Sequence, residues 1–200
     1  LVSFTDEFSL DFQKLESEIL SKVKVDVVNR INSAIMTRIV AAATAYNSGA
    51  AFKVAVGGTG VVSANDWDAI AALSAQVENA TFANAANSII TSTNKKYAIG
   101  ILKNSQNSYL GVPPILQSKS IVSNPAFGND DVIVGDLKQY NIALRGGIIV
   151  RIGYNGTDFA ENKFSTVTEQ YYFDYISSAR TAAIVKGATF GAVKTAIAAA

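Results

Sequence analysis

The stretch TDEFSLDFQKLESEILSKVKVDVVNRINSAIMTRIVAAATAY, residues 5–46, decides the fold of this chain of 200 residues. Apolar residues recur along it at steps of three and four, as on one face of a helix; they are Phe8, Phe12, Leu15, Ile19, Val23, Val27, Ile31, Ile35 and Ile39. Their spacing averages about 3.9 residues, so the stripe drifts around the helix instead of keeping the period of a coiled coil. We therefore predict one helix over residues 5–46 that packs on a β-sheet.

The length and charge order of this segment indicate a single spine helix. Acidic residues come first and basic residues follow, which the helix dipole favours. About forty residues at roughly 1.5 Å each give a helix of roughly 60 Å. We expect it to end or bend near residues 47–49.

The remaining elements predict an α+β fold, because mixed short elements precede long strands without repeated strand–helix–strand units. Predicted strands cover residues 52–56, 88–91, 131–134, 141–144, 147–154, 164–180 and 182–186. Predicted helices cover residues 66–79, with a capping box in Ser63-Ala64-Asn65-Asp66, and 94–103, with Thr93 as cap. The buried stripe of the first helix is predicted to be Ile70, Leu73 and Val77, with Trp67 packed at its first turn.

Composition argues against catalysis. The chain has no His and no Cys, which removes the commonest general base, the commonest metal ligand and every thiolate site. We therefore predict that the protein is not an enzyme and has no catalytic, cofactor-binding or metal-binding residues and no cofactor. A small-molecule enzyme and a carbohydrate-binding module are the alternatives, and a deep polar pocket would favour the enzyme.

Low charge suggests a surface that packs against other proteins. Charged residues make up 16% of the chain, against about 25% in a usual globular protein. A compact monomer with a neutral polar surface is the alternative. The 17 basic residues are scattered and the net charge is +1, so we expect only weak, non-specific contact with DNA. No apolar run reaches the roughly 18 residues of a membrane span, and we expect no membrane partner.

Two motifs begin like known ligand-binding motifs, but each lacks residues that the complete motif requires. Gly57-Gly58-Thr59-Gly60 lacks the Gly-Lys-Ser/Thr of a phosphate loop, since Val61-Val62-Ser63 follows. We predict a flexible interdomain turn there. Asp66-Trp67-Asp68 begins like a calcium loop, but Ile70 and Ala71 replace the next ligand and the glycine.

Acidic pairs and aromatic residues give no site either. Neighbours such as Asp6-Glu7 and Asp130-Asp131 do not face each other in a regular element. The cluster Tyr171-Tyr172-Phe173 with Tyr175 lacks the interleaved basic residues of a base-stacking platform, because only Arg180 is near. The odd positions of this strand lie on one face, which we predict to be core or a contact between subunits.

Several motifs along the chain resemble one family. They are DVIVGD at 131–136, the strand pair from QYN at 139–141 through Arg151-Ile152, AIVKG at 183–187, and GVPP at 111–114 after the segment that begins at Thr93. On these, nearly the whole chain resembles the major capsid proteins of tailed phages with the Hong Kong 97-type fold.

The resemblance implies a spine helix against a sheet in a discontinuous peripheral domain, residues 1–60 and 153–190. It further implies an inserted mixed axial domain, residues 61–152, and a C-terminal tail, residues 191–200. Gly57-Gly58 and Gly153 are the expected hinges. The family's N-terminal arm and extended loop would precede Leu1, and we expect the sequence to be a processed or truncated fragment.

Function and partners follow from the same resemblance. The chain would be a structural subunit of an icosahedral phage or prophage capsid, built as hexamers and pentamers that enclose the DNA genome. Portal, scaffold and decoration proteins would be further partners, with the virion as location and the bacterial host cytoplasm as place of assembly. An encapsulin-like shell around a cargo enzyme is the alternative.

Some members of the family join subunits by a Lys–Asn isopeptide bond with the help of a Glu. Counting back from Lys186-Gly187, the Asn position falls at Phe164 and the Glu position at Tyr171. Asn162 and Glu169 lie two residues away. We therefore do not predict self-crosslinking.

Overall fold

The computed structural model describes residues 2–5, 13–80 and 85–199. Its strands are β1 (Val2–Thr5), β2 (Thr44–Ala45), β3 (Ser88–Thr91), β4 (Ser120–Ser123), β5 (Val132–Gly135), β6 (Tyr140–Gly153), β7 (Lys163–Ile176) and β8 (Ile184–Gly187). Its helices are α1 (Gln13–Ala42), α2 (Gly49–Ala55), α3 (Asp66–Glu78), α4 (Thr93–Gly100) and α5 (Phe190–Ile197). Short 3-10 turns cover Pro114–Leu116, Leu137–Gln139 and Ser178–Ala183. This is the predicted α+β composition.

The chain forms two compact units. Unit 1 comprises Leu1–Thr37 and Ile142–Tyr175, and unit 2 comprises Arg38–Asn141 and Ile176–Ala200. The boundaries fall near residues 37, 141 and 175, whereas the predicted domains change at residues 60, 152 and 190. The peripheral and axial roles stay a prediction.

The spine helix is confirmed in its central part and is shorter than predicted. Thr5 belongs to strand β1 and not to the helix, and residues 6–12 lie outside the described residues. At the other end α1 stops at Ala42. The chain then becomes extended because Thr44 and Ala45 pair in parallel with β8, and the Tyr46 N–H donates to the Lys186 carbonyl at 2.9 Å.

Unit 1 contains a sheet in the order β1-β7-β6. β1 is antiparallel to β7, with Val2 opposite Thr166 and Thr5 opposite Lys163. The predicted strands 141–144 and 147–154 are one continuous strand, β6. Gly146 has a φ of +69° inside it, a conformation typical of the glycine in a β-bulge, so the predicted bend changes the strand without ending it.

Unit 2 is built on a five-stranded sheet in the order β2-β8-β5-β3-β4. β5 pairs antiparallel with both β3 and β8, and β3 pairs in parallel with β4. All four residues of β5 are buried. The core cluster joins the sheet to α3 and α5, and it includes the predicted stripe Ile70, Leu73 and Val77 together with Trp67, Phe190, Val193 and Ile197.

One of the motifs that carried the resemblance ends in a glycine, and the structure gives the reason. A Cβ on Gly187, the last residue of AIVKG, would lie 2.8 Å from Cγ1 of Val132 and 2.8 Å from Cγ2 of Val193. Both valines are buried. The packing of β8 against β5 and α5 therefore leaves no room for a side chain at this position.

Two predicted elements are wrong in type, and one strand was missed. The predicted strand at 52–56 lies largely in helix α2, because a short apolar run carries no period that separates strand from helix. Strand β4 was not predicted at all. The predicted tail at 191–200 holds most of α5, whose Phe190, Val193 and Ile197 are buried in the core of unit 2.

Both predicted helix caps shift along the chain. Asn65, and not Ser63, caps α3, accepting hydrogen bonds from the backbone N–H groups of Trp67 and Asp68. Asp68 completes the capping box by accepting from the Asn65 N–H at 2.8 Å. For α4 the cap is Ser92, whose hydroxyl accepts from the Lys95 N–H at 3.1 Å. A cap must precede the first helical residue, and the sequence offered several polar candidates at each start.

Candidate functional site

The apolar side chains of β7 point away from the covered side of their sheet. Large side chains at odd positions are exposed, namely Val167, Tyr171, Phe173 and Tyr175. Even positions are covered to a greater degree: Thr166 and Asp174 are buried, and Gln170 is half-buried. The prediction that these aromatic residues form core is therefore wrong. The alternative, a contact between subunits, stays a prediction.

The exposed side of β7, which we call the outer face, is a row of aromatic side chains with one ion pair beside it. Phe173 is 64% exposed, and its ring centroid lies 5.6 Å from that of Tyr175. Glu169 in the same row lies 4.0 Å from Arg151 of β6. An exposed row of this kind on a sheet is typical of a surface that contacts another protein.

The opposite side of the same sheet faces helix α1 across a groove of about 310 Å³. Its walls are mainly aliphatic and are formed by Val28, Ile31, Asn32, Ile35, Ile142, Leu144, Ile148 and Gln170. Ile31 and Ile35 belong to the predicted stripe of the spine helix. Within unit 1 the spine helix therefore faces the sheet across this groove, and its close packing on the sheet stays a prediction.

Gln170 compensates for the irregular backbone at Gly146. Its side-chain amide nitrogen lies 3.3 Å from the Gly146 carbonyl, 3.5 Å from the Arg145 carbonyl and 3.1 Å from the Tyr171 carbonyl. A bulge interrupts the hydrogen-bond ladder of a sheet. Gln170 supplies a donor at that point, which keeps β6 and β7 together through the bulge.

Strand β6 of unit 1 has an unpaired edge in the part of the chain that the structure describes. β6 is the last strand of its sheet over all 14 of its residues. Among the described residues β7 pairs with β1 from Lys163 to Thr166. Unpaired edges such as that of β6 expose rows of backbone donors and acceptors that readily accept another strand.

The candidate acidic residues have structural partners. Asp130 pairs with Lys95 at 3.2 Å, and Asp131 accepts from the Gly128 N–H at 2.7 Å. Asp68 caps α3 and Asp66 pairs with two lysines, which is not the arrangement of a calcium loop. Residues 6 and 7 lie outside the described residues.

The structure also places the glycine cluster at residues 57–60 and the two residues considered for crosslinking, Asn162 and Glu169. The residues 57–60 form a turn inside unit 2, with φ of +100° at Gly57 and +84° at Gly58. Asn162 lies in the turn before β7, and Glu169 in β7 pairs with Arg151. Neither arrangement assigns chemistry to these residues.

Two kinds of feature are absent from the described residues. Over 2–5, 13–80 and 85–199, no helix has the length and apolarity to cross a membrane. Within the same ranges, no three or more acidic residues group in a way that would hold a metal ion.

The chain matches a known family over most of its length. The model of the phage capsid family matches residues 11–175, a range that includes the spine helix, most of unit 2 and the outer face of β7. The chain belongs to the phage capsid family. This match confirms the family that the motifs indicated.

Solved structures agree with this assignment at the level of the fold. A chain of Mycobacterium phage Adephagia superposes with a TM-score of 0.62 at 12% identity, over 88% of this chain and 63% of that one. A chain titled "Capsid of empty GTA particle computed with C5 symmetry" gives 0.64 at 16%, over 93% and 69%. A chain of Mycobacterium phage Bobi gives 0.64 at 12%, over 93% and 69%. This chain therefore spans slightly under two thirds of the length of the Mycobacterium phage Adephagia chain.

A search of curated proteins found no match. Sequence reasoning found the aromatic residues of the outer face but not the direction in which they point. A period of two separates the faces of a strand without saying which one is covered. The polarity of the even positions indicated the opposite orientation, since Thr166, Thr168, Gln170 and Asp174 suit a core poorly and yet lie on the more covered side.

Proposed function

We propose that the chain is a structural subunit of an icosahedral phage or prophage capsid that self-assembles into hexamers and pentamers enclosing the DNA genome. The observation that carries the proposal is the family match over residues 11–175. The exposed outer face supports it, because an exposed row of aromatic side chains is typical of a surface that contacts another protein. Catalysis has no part in the proposal.

The proposal includes the Hong Kong 97-type arrangement, with its domains redrawn on the two units. Unit 1, with most of the spine helix and the long strands, corresponds to the peripheral domain. Unit 2, with the five-stranded sheet, corresponds to the axial domain whose tips meet at the capsomer centre. The hinge role expected of Gly57-Gly58 and Gly153 does not carry over to these units, because Gly57-Gly58 lies inside unit 2 and Gly153 inside unit 1.

Partners and location follow from this role. Copies of the same chain are the main partner, and portal, scaffold and decoration proteins are proposed in addition. With a net charge of +1 and scattered basic residues, contact with packaged DNA is weak and non-specific. Assembly takes place in the bacterial host cytoplasm and the product is the virion.

Expression from the complete gene tests the proposal. We expect closed particles of uniform size in electron micrographs and a single fast boundary in sedimentation velocity. Nuclease-protected DNA inside particles from infected or induced cells supports the capsid, whereas a co-purified cargo enzyme would support the nanocompartment. A product that stays monomeric at high concentration contradicts both.

A further inference from the structure

The loop between β6 and β7 contains the dipeptide Asn155-Gly156, and no other asparagine of the chain is followed by glycine. Both residues are exposed. Because glycine has no Cβ, no side chain shields the backbone nitrogen of Gly156 from the side chain before it. A bond between that nitrogen and Cγ of Asn155 closes a ring within one chain, and intramolecular reactions of this kind are strongly favoured over those between molecules.

The turn holds the backbone of Asn155 and leaves both reacting groups free. The Asn155 N–H donates to Oδ2 of Asp158 at 2.9 Å, and the Asn155 carbonyl accepts from the Asp158 N–H at 3.1 Å. Among the described residues, neither the Gly156 N–H nor the side-chain amide of Asn155 has a hydrogen-bond partner. The nitrogen and Cγ can therefore meet without first breaking a hydrogen bond of the fold.

Asn107 is equally exposed and shows the opposite arrangement. Ser108 follows it, and the Ser108 N–H donates to Oδ1 of Asn104 at 3.0 Å. This nitrogen must give up its hydrogen bond, and leave its acceptor without a donor, before it can attack. The state of the next N–H, and not exposure, therefore distinguishes Asn155 from Asn107.

We propose that Asn155 is a site of spontaneous covalent modification, at which its amide is converted through a cyclic imide into aspartate and isoaspartate. The Gly156 nitrogen loses its proton to base in the solvent and forms a bond to Cγ of Asn155. The bond from Cγ to the amide nitrogen breaks, and that nitrogen takes up a proton and leaves as ammonia. Water then opens the imide at one of its two carbonyls. The reaction uses only water and this chain, so it does not depend on the proposed function.

The modification changes the charge and the backbone of the loop. Either product adds a carboxylate to a loop that already holds Asp158 and Glu161, so like charges come together. Isoaspartate also routes the main chain through the former side chain. Protein that has aged in the folded state should therefore separate into several charge forms on an anion-exchange column.

Peptide mapping of the aged, folded protein tests the proposal. Trypsin releases residues 152–163, which contain Asn155, and residues 104–119, which contain Asn107, and a short digestion at slightly acidic pH limits further reaction. We expect the first peptide to gain the mass of an exchange of NH2 for OH, located at Asn155 by fragmentation, with aspartate and isoaspartate both present. The conversion should be faster at alkaline than at neutral pH. It should exceed that of Asn107 by at least about fivefold, the factor that corresponds to one hydrogen bond.

Incubation in urea separates the effect of the fold from that of the dipeptide. Unfolding frees the Ser108 N–H, so conversion of Asn107 should rise by about fivefold, while that of Asn155 should change by less than about twofold. Asn155→Gln is the matched variant, because it keeps an amide that would have to close a larger ring. It should abolish the mass gain in residues 152–163 and leave residues 104–119 unchanged.

Three results would overturn the proposal. One is an Asn155 amide that stays intact in the folded protein and converts only in urea, because the turn would then hold it against reaction. Another is conversion of Asn107 in the folded protein at the same rate as Asn155. The third is aspartate without isoaspartate, which indicates direct hydrolysis of the side chain and not an imide. Whether the chain forms particles is a separate measurement that none of these results changes.

Discussion

Lys95 and Asp66 form an ion pair inside unit 2, with 2.9 Å between Nζ and Oδ2 and side chains that are 14% and 8% exposed. Lys194 of α5 reaches the other carboxylate oxygen at 2.9 Å, and Asp130 lies 3.2 Å from Lys95. The Lys95 ammonium also lies 4.6 Å from the ring centroid of Phe190. These contacts join α3, α4 and α5 at one point next to the core.

Replacing Asp66→Asn leaves two ammonium groups without their shared carboxylate. Removing one partner of a buried ion pair costs about 3 kcal/mol of unfolding free energy. Urea unfolding followed by circular dichroism measures it. Glu161→Gln is the control, because its pair with Lys163 lies in an exposed loop, and we expect a much smaller shift. Equal shifts in the two variants would contradict a structural role for the buried pair.

The same pair predicts how stability depends on pH. Burial raises the pKa of Asp66, but hydrogen bonds from Lys194 and Lys95 and their positive charges outweigh it and lower the pKa below its ordinary value. The unfolded chain therefore binds the proton first as pH falls, and the contribution of the pair is lost below about pH 4. The stability difference between the natural protein and Asp66→Asn should shrink from pH 7 to pH 3. A difference that stays constant would disprove this.

The cap of α3 is testable with two neighbouring substitutions. Asn65→Ala removes the acceptor for two backbone N–H groups and should lower stability by about 1 kcal/mol. Ser63→Ala, at the position that the sequence suggested, should change it by less than about 0.5 kcal/mol. Thermal or urea unfolding of both variants decides between the two caps. A larger loss of stability in Ser63→Ala than in Asn65→Ala would identify Ser63 as the cap.

Gly187→Ala tests the close packing of β8. Its Cβ would meet Val132 and Val193 at 2.8 Å, and overpacking of this kind costs about 1–3 kcal/mol. Gly111→Ala is the matched control, since nothing lies within 4 Å of a Cβ there. Equal unfolding midpoints for the two variants would mean that β8 shifts to make room at no cost.

The outer face should matter for assembly and not for folding. Phe173→Ser removes a largely exposed ring and should leave monomer unfolding within about 0.5 kcal/mol while reducing the yield of particles. Phe159→Ser is the control, because that ring is 79% exposed and lies in the loop before β7. Particle yield by sedimentation and electron microscopy is the measurement. An equally large loss of particle yield in Phe159→Ser would contradict a specific role of the outer face in assembly.

Local periodicity predicted the elements whose pattern spans several turns or a complete buried strand. The stripe of α3, the strand at 88–91 and the central spine helix follow from spacing alone. The type of α2 did not, because its apolar residues are too few to show a period. β4 has only two apolar residues and lies at a sheet edge, and its pairing depends on residues distant in the chain.

The candidate site was predictable in its residues and not in its orientation. Tyr171, Phe173 and Tyr175 stand out from sequence as one face of a strand. Their exposure depends on which side of the sheet helix α1 covers, a tertiary relationship that no local pattern records.

Strand β8 lies between β2 and β5 inside the five-stranded sheet, although it is the last strand along the described chain. Until residues 184–187 leave the ribosome, β2 has no neighbour and β5 is paired on one side only. Unit 2 therefore cannot finish folding on a nascent chain that lacks them. Because Ala45 lies opposite Lys186 in this sheet, the sheet of unit 2 is completed only after the long intervening stretch of chain has been synthesised.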